Sequence, residues 1–337
     1  MIARSPRAVQ APPWQRLLSE GFSRPAALLE FLDLDPALLA PAEDAARAFP
    51  LRVPRGYAAR MRRGDPADPL LRQVLPLGLE LDEVPGFGAD PVGDLGAVAA
   101  PGVLHKYRGR ALLVVTGACA VHCRYCFRRH YPYPAESLRG PEAGTAIAWL
   151  RRSTDIREVI LSGGDPLVLS DRRLAGLARA LADIPHLQRL RIHTRLPVVL
   201  PERIDASLLE WLAHGRLKPV VVVHANHPRE LDEDVAAALG RLKDAGVELL
   251  NQAVLLAGVN DSAEVLAELS ERLFEHGVLP YYLHGLDRVR GAAHFEVPDG
   301  RALALQRELS DRLPGYLVPR LVREVPGAAS KLPLDAC

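Results

Sequence analysis

The sequence predicts an α/β fold in which the strands of a parallel sheet alternate with helices that cover its outer face. From residue 111 onward, short runs rich in β-branched residues alternate with amphipathic helical stretches. The strand runs are apolar at consecutive positions, which is typical of strands buried on both faces of a parallel sheet. Six such units over roughly 175 residues are too few for an eight-stranded barrel, so we expect a partial (β/α)6 barrel of the TIM type.

The six strands are predicted at residues 111–116, 158–161, 190–194, 219–224, 248–256 and 278–283. One helix is predicted at 171–182, where leucines recur at helical spacing. Another is predicted at 234–245, where Gly246 ends the helix as a left-handed cap. We expect a mainly helical or irregular N-terminal region at 1–100, the barrel at 101–300, and a separate C-terminal segment at 301–337.

Composition and charge limit the function classes. With 337 residues, 48% of them hydrophobic, the chain can bury a large core, which excludes a disordered protein. Lys and Arg total 42 and Asp and Glu total 41, so no excess of basic charge suggests nucleic acid as a partner. No apolar run approaches the ~20 residues of a membrane helix, and the N-terminus lacks the apolar core of a signal peptide. We therefore expect a cytoplasmic protein with no nucleic-acid or membrane partner.

The strongest chemical signal is a set of three cysteines, Cys119, Cys123 and Cys126, directly after the first predicted strand. Three thiolates on one loop can bind three irons of a four-iron cluster and leave the fourth iron open to another ligand. A zinc site that combines these cysteines with His122 or His130 is the alternative. The spacing favours the iron–sulfur cluster.

Two further segments are candidates for binding a ligand. The segment Ser162-Gly163-Gly164-Asp165 comes after the second strand, and its small residues allow the backbone to approach a ligand closely. Lys331 follows a small-residue loop, as is needed for an amine that reaches the aldehyde of pyridoxal phosphate. Taken alone, the first segment could be an ordinary loop turn and Lys331 a surface lysine.

Seven collinear stretches of the chain resemble the lysine 2,3-aminomutase family of radical S-adenosylmethionine (radical SAM) enzymes. These stretches are LHKYRGRALLVVTGACAVHCRYCFRRH, VILSGGDPL, LRIHTRLPVVLPERI, VVVHANHP, LLNQAVLLAGVNDS, LPYYLHGLDRVRGAAHF and GYLVPRLVREVPGAASKLPL. Within the family, the chain is most similar to the short EpmB branch, which supplies β-lysine for the modification of elongation factor P. The resemblance implies that the partial barrel is a radical SAM barrel.

The resemblance also implies three cofactors and the residues that bind them. Cys119, Cys123 and Cys126 would bind a [4Fe-4S] cluster, and Lys331 would hold pyridoxal 5'-phosphate covalently. The residues expected around S-adenosyl-L-methionine are Ser162, Gly163, Gly164, Asp165, His224 and Gln252. Those expected around pyridoxal phosphate are Lys106 and Arg110 near its phosphate and Tyr107 near its ring.

Substrate binding is implied at three more residues. Arg128 would bind the α-carboxylate of lysine, because a planar guanidinium suits a bidentate carboxylate. Asp287 and Glu324 would face the ε-ammonium group, since a pair of carboxylates compensates the charge of a buried lysine tail. Without the resemblance, each of these residues would be interpreted as a solvated surface group.

The activity implied is that of an L-lysine 2,3-aminomutase, an isomerase that converts L-α-lysine to β-lysine, expected in the R form, by a radical mechanism. Free lysine would be the substrate, and a flavodoxin or ferredoxin would donate electrons. The sequence is compatible with a homo-oligomer. A catabolic lysine or glutamate mutase of the same family is one alternative. The other is a non-catalytic iron–sulfur redox sensor or zinc-stabilised scaffold.

The chain departs from the family pattern at a few positions. Longer relatives carry Asp where this chain has Glu324, and they often have a glycine run where this chain has residues 327–330. Ser262 stands where the longer relatives place a ligand of an additional zinc, so no zinc is expected. Cys337 is expected to be an incidental terminal thiol.

Overall fold

The computed structural model describes residues 12–138 and 142–336; Cys337 lies outside the described residues. Its helices are α1 Pro13–Ser19, α2 Pro25–Phe31, α3 Leu39–Ala48, α4 Arg55–Ala59, α5 Pro69–Arg72, α6 Tyr133–Glu136, α7 Glu142–Arg152, α8 Asp171–Ala182, α9 Leu196–Val199, α10 Ala206–Ala213, α11 Glu233–Asp244, α12 Ala263–Glu275 and α13 Asp299–Arg312. Its strands are β1 Val98–Ala100, β2 Val103–Tyr107, β3 Arg110–Thr116, β4 Glu158–Gly163, β5 Arg189–Thr194, β6 Lys218–Val223, β7 Glu248–Val254, β8 Leu279–His284, β9 Arg320–Arg323 and β10 Leu332–Pro333.

The strands form a single sheet in which their spatial order follows their order in the chain. Strands β3 to β9 are parallel, whereas β1 and β2 at one end and β10 at the other pair antiparallel with their neighbours. The six predicted strands correspond to β3 through β8, and the partial barrel is confirmed. The described residues contain a seventh parallel strand, β9, which lies in the predicted C-terminal segment and is not among the six predicted strands. With four residues, β9 is too short for a reliable periodicity.

The helices between the parallel strands bury apolar faces against the sheet. Helix α8 has the predicted bounds and buries Leu174 and Leu181. Helix α11 begins and ends one residue before its predicted bounds. Gly246 follows it with a φ of 78°, which confirms the left-handed cap. Strands β4 and β6 are largely buried, as expected for a parallel sheet covered by helices, whereas β5 and β7 alternate buried with partly buried or exposed residues.

The N-terminal helices cover the loop that carries the cysteines. The backbone N–H of His122 donates to the carbonyl oxygen of Arg52 at 3.0 Å, and the N–H of Arg124 donates to that of Gln73 at 2.9 Å. The buried Tyr57 of α4 donates its hydroxyl proton to Glu230 on the barrel at 2.9 Å. This region therefore positions the site as well as adding to the core.

None of the helices in residues 12–138 and 142–336 is both long enough and apolar enough to span a membrane.

Candidate active site

All the site residues expected from the sequence line one cavity inside the partial barrel. They are Lys106, Tyr107, Arg110, Cys119, Cys123, Cys126, Arg128, Ser162, Gly163, Gly164, Asp165, His224, Gln252, Asp287, Glu324 and Lys331. Most follow the C-terminal ends of parallel strands, where barrel sites are usually built. The exceptions lie on β2, at the start of β3, and before β10.

The three cysteines lie on the loop after β3, and burial disfavours the thiolate forms of Cys119 and Cys126. Burial raises the pKa of Cys119 well above its usual value, and the neighbouring Cys126 raises it further. Burial, together with Cys123, raises the pKa of Cys126 to about 11. Three mutually repelling thiolates in one buried loop need a cation to stabilise them. This donor set fits an iron–sulfur cluster, in which each thiolate binds one of several cationic irons.

The histidines of the zinc alternative are engaged elsewhere. The Nδ1 atom of His122 lies 2.8 Å from the carbonyl oxygen of Pro50, and the Nε2 atom of His130 lies 3.2 Å from that of Arg290. Neither imidazole lines the cavity. Within the described residues, no group of three or more His, Cys, Asp and Glu side chains is arranged around a single metal ion. The ligands of a cluster bind different irons, so its three sulfurs need not converge on one point.

Gly163 and Gly164 hold the end of β4 against the cysteine loop. A Cβ atom on Gly163 would lie 2.5 Å from the carbonyl oxygen of Thr116, and one on Gly164 would lie 2.3 Å from that of Ala118. Gly163 also has a φ of 116°, which L side chains rarely adopt. The backbone N–H of Gly164 donates to Thr116 at 2.7 Å. Close approach of β4 to the cysteine loop therefore requires both glycines. The sequence pattern predicts only the approach of a ligand.

Asp165, which follows β4, is hydrogen-bonded to the end of β5. Its carboxylate accepts hydrogen bonds from the hydroxyl of Thr194 at 2.7 Å, the backbone N–H of Arg195 at 2.7 Å and that of Leu167 at 3.1 Å. Burial raises its pKa, against the effect of these donors. Although Asp165 lines the cavity, its carboxylate oxygens already bond to protein groups. Its observed role is to orient two strand ends.

Polar side chains on β5, directly after β6 and on β7 meet in the cavity. The Nε2 atoms of Gln252 and His224 lie 2.5 Å apart, and Gln252 lies 3.5 Å from Nδ1 of His193. Burial lowers the pKa of His224 to about 3, with smaller effects from Arg195 and Lys331, so the ring is neutral. The Nε2 atom of His193 is buried and has no hydrogen-bond partner among the described residues. These side chains therefore offer neutral donors and acceptors to a polar ligand.

A chain of alternating charges crosses the cavity from Arg128 to Lys331. Arg128 Nε donates to Asp94 Oδ2 at 2.6 Å, and the other oxygen of Asp94 lies 2.6 Å from Lys106 Nζ. Lys106 in turn lies 2.8 Å from Glu324, which lies 2.5 Å from Lys331. Because β2 and β9 lie near opposite ends of the sheet, the contact between Lys106 and Glu324 joins the two ends.

Sequence analysis missed Asp94. Only 2% of its surface is exposed, and it bonds two of the expected ligand-binding cations. Arg128 and Lys106 together outweigh burial and lower its pKa, so it is ionised. Asp94 lies in a turn-rich stretch among several exposed acids, where nothing in the local pattern distinguishes it. Only the contact with Arg128 identifies it as part of the site.

The two expected substrate carboxylates differ in their protonation. Burial and, to a smaller extent, the charge of Glu324 together raise the pKa of Asp287 to about 7. For Glu324, burial is outweighed by the ammonium groups of Lys331 and Lys106, which lower its pKa to about 2. Glu324 is therefore ionised at neutral pH, whereas Asp287 is balanced between its two forms. A cation that enters the cavity would ionise Asp287 fully.

The remaining expected residues lie on the hairpin of β2 and β3. The guanidinium of Arg110 lies 4.7 Å from the ring centre of Tyr107, and both line the cavity beside Lys106. The same cavity contains two cations, Lys106 and Arg110, the aromatic ring of Tyr107 and the partly buried Lys331. This combination fits a phosphorylated aromatic aldehyde. The residues present therefore fit pyridoxal phosphate.

The fold and the cysteine loop together define a radical SAM protein, and residues 113–270 match the family model described as the radical SAM superfamily. A protein named L-lysine 2,3-aminomutase from Escherichia coli (strain K12) is 48% identical over 324 residues, which is 96% of this chain and 94% of that protein. The chain therefore belongs to the lysine 2,3-aminomutase family. Membership of the radical SAM superfamily implies a [4Fe-4S] cluster and S-adenosylmethionine as cofactors.

Two other relatives with the same name show how the chain compares in length. The protein from Haemophilus influenzae is 44% identical over 331 residues, 98% of each chain. The protein from Clostridium subterminale is 37% identical over 280 residues, which is 82% of this chain but 67% of the longer relative.

Proposed function

We propose that this protein is a pyridoxal-phosphate-dependent L-lysine 2,3-aminomutase, which moves the α-amino group of free lysine to the β-carbon. The observation that carries this proposal is the convergence of three cysteines, Lys331 and the acids Asp287 and Glu324 on one cavity. The relatives named L-lysine 2,3-aminomutase support it, since they match this chain over nearly its whole length.

Lysine recognition follows from the charges of the cavity. The guanidinium of Arg128 is buried, and Asp94 binds its Nε atom while Nη1 donates to Ser162 at 3.1 Å. Its remaining N–H groups are available to a substrate carboxylate. At the other end of the charge chain, Glu324 and Asp287 would compensate an ε-ammonium group. A glutamate substrate would meet carboxylates at this position and be repelled.

The cofactors would occupy separate parts of the cavity. Cys119, Cys123 and Cys126 would bind the cluster, and Lys331 would hold pyridoxal phosphate, with Lys106 and Arg110 beside its phosphate. When bound, the cluster and S-adenosylmethionine supply a hydrogen-abstracting radical, and pyridoxal phosphate delocalises the unpaired electron. The protein positions the substrate between them and excludes water and other hydrogen donors.

We further propose that the protein acts in the cytoplasm and that its β-lysine, in the R form, serves the modification of elongation factor P. The similarity of the chain to the short branch of the family supports this fate over a catabolic one. A flavodoxin or ferredoxin would supply the electron. Mass spectrometry of elongation factor P from cells with and without this protein tests the proposal, and an unchanged mass would favour the catabolic alternative.

The activity is tested by anaerobic incubation of the reconstituted protein with L-lysine, S-adenosylmethionine, pyridoxal phosphate and dithionite. We expect chiral chromatography to detect β-lysine. Cys123→Ala should abolish both the iron content and the product, whereas Cys337→Ala should change neither. A protein that binds four irons and pyridoxal phosphate per chain yet forms no β-lysine would refute the proposal and favour a redox sensor.

A further inference from the structure

Arg195 connects one cysteine of the site to a buried carboxylate. It follows β5, and its Nη1 atom donates a hydrogen bond to the sulfur of Cys123 at 2.8 Å. Its Nη2 atom lies 2.9 Å from Oε1 of Glu230 and 2.6 Å from Oε1 of Gln73. Arg195 is 6% exposed and Glu230 is fully buried. Burying a charged pair of this kind costs desolvation free energy. Its position beside Cys123 suggests that the pair has a role in the site.

The network around Glu230 holds this arginine in one orientation. Oε1 of Glu230 also accepts from the hydroxyl of Tyr57 at 2.9 Å and from Nε2 of Gln73 at 2.5 Å. Its other oxygen accepts from the backbone N–H of Asn226 at 3.0 Å. With both of its oxygens bonded, Glu230 fixes the guanidinium in place, and the guanidinium directs one N–H group at Cys123.

We propose that Arg195, positioned by Glu230, sets the reduction potential of the cluster that Cys123 binds. Hydrogen bonds to ligand sulfurs and the net charge nearby both tune the potentials of iron–sulfur clusters. Reduction adds one electron, taken from an external donor, to the cluster and its ligands without breaking any bond of Arg195. A cation and N–H donor at the sulfur stabilises this added negative charge and raises the potential. Glu230 opposes that effect, so the pair determines an intermediate value.

Because Arg195 and Glu230 carry opposite charges, the proposal predicts that substitutions of the two residues shift the reduction potential in opposite directions. Arg195→Gln removes the cation and should lower the potential. Glu230→Gln leaves the cation uncompensated and should raise it. We expect the equilibrium constant for one-electron reduction to fall about tenfold in R195Q, which corresponds to ~59 mV. Arg195→Lys retains the charge, and it should recover most of the loss.

The measurement is the electron paramagnetic resonance signal of the reduced cluster at controlled potentials. It uses the full-length reconstituted protein with dithionite as reductant and without substrate, so the result does not depend on the aminomutase activity. Iron content is determined in parallel. Arg60→Lys is the matched control, because Arg60 donates to the backbone oxygen of Glu230 at 2.7 Å from the same interface but has no contact with Cys123.

Opposite shifts in R195Q and E230Q at full iron content would support the proposal. If R195Q loses its cluster, the upward shift of E230Q and the near-normal potential of R195K still test it. Shifts in the same direction, or unchanged potentials, would overturn the proposal. A loss of iron in all three variants would also overturn it, because Arg195 would then be a structural residue. A shift in reduction potential of equal size in R60K would also overturn the proposal, because packing of the N-terminal region would then explain the shift.

Discussion

The Nζ atom of Lys331 lies 2.5 Å from Oε2 of Glu324, and the antiparallel pairing of β9 with β10 brings the two residues together. The other oxygen of Glu324 lies 2.8 Å from Lys106, so two ammonium groups share one carboxylate. If Lys331 holds pyridoxal phosphate, its nitrogen keeps at most one N–H group and binds Glu324 less strongly than a free ammonium group does. The carboxylate then becomes available to the ε-ammonium group of a substrate. Under the proposed roles of these residues, Glu324 would link cofactor attachment to substrate recognition.

Lys331→Ala should abolish covalent attachment of pyridoxal phosphate and leave the iron content unchanged, because the cluster uses separate ligands. Borohydride reduction followed by peptide mass spectrometry should find the pyridoxyl group on Lys331 in the unaltered protein and on no lysine in the variant. Lys218→Ala is the control, since Lys218 is an exposed lysine that pairs with Glu248 and does not line the cavity. A label on Lys106, Lys218 or Lys243 would make the assignment wrong.

Asp287 should give lysine binding a pH dependence. Burial and the nearby charge of Glu324 raise its pKa to about 7, and the ionised form is the one that binds an ammonium group. The KM for lysine should therefore fall as the pH rises from about 6 to 8. Asp287→Asn should remove this dependence and raise KM roughly 30- to 1,000-fold, for a loss of ~2–4 kcal/mol. A KM with the same pH profile in both proteins would exclude this role.

The same carboxyl should affect folding with a defined sign. The pKa of Asp287 is higher in the folded protein than the ordinary value near 4 of an unfolded chain, so the folded state favours the protonated form. As the pH rises from about 4 to 7, the unfolded state ionises first and the folded state loses stability relative to it. Denaturant unfolding at several pH values should detect a weaker loss in Asp287→Asn than in the unaltered protein. An equal loss would indicate that other groups cause it.

Asp94→Asn should weaken lysine binding through Arg128. The substitution retains the shape of the side chain but removes the charge that bonds Arg128 and Lys106. Hydrogen bonds to charged groups contribute about 1.5–3 kcal/mol, so we expect KM to rise roughly 10- to 150-fold. The exposed Asp82 provides the control substitution Asp82→Asn, which should leave KM unchanged. Equal kinetics in D94N and D82N would show that Arg128 does not need this partner.

Two glycine substitutions should change stability in opposite directions. A methyl group on Gly164 would lie 2.3 Å from the backbone oxygen of Ala118, so Gly164→Ala should destabilise the protein by about 1–3 kcal/mol and lower its iron content. Gly176 lies within α8 with open space around its Cβ position. Gly176→Ala should stabilise the protein by roughly 0.5–1 kcal/mol, because alanine favours the helix. Equal changes in melting temperature would refute the steric role of Gly164.

Long-range charge contacts were not predictable from local sequence patterns. Asp94 and Glu230 are acids in polar loops, and their sequence neighbourhoods resemble those of exposed acids. Their contacts with Arg128 and Arg195 join residues 34 and 35 positions apart. A hydrophobic pattern indicates which side of a helix or strand is buried. A contact between side chains depends instead on how separate helices, strands and loops pack together.

The sequence by itself determined the order of the six central strands and the spacing of the three cysteines, because hydrophobic periodicity and ligand spacing are local properties. Through resemblance to a known family, it also identified part of the cavity lining, from the three cysteines to Lys331. Only the tertiary structure decided that Lys106 contacts Glu324, 218 positions away. That contact requires the curvature of the whole sheet, which brings β2 and β9 together, and curvature arises from the packing of all the strands.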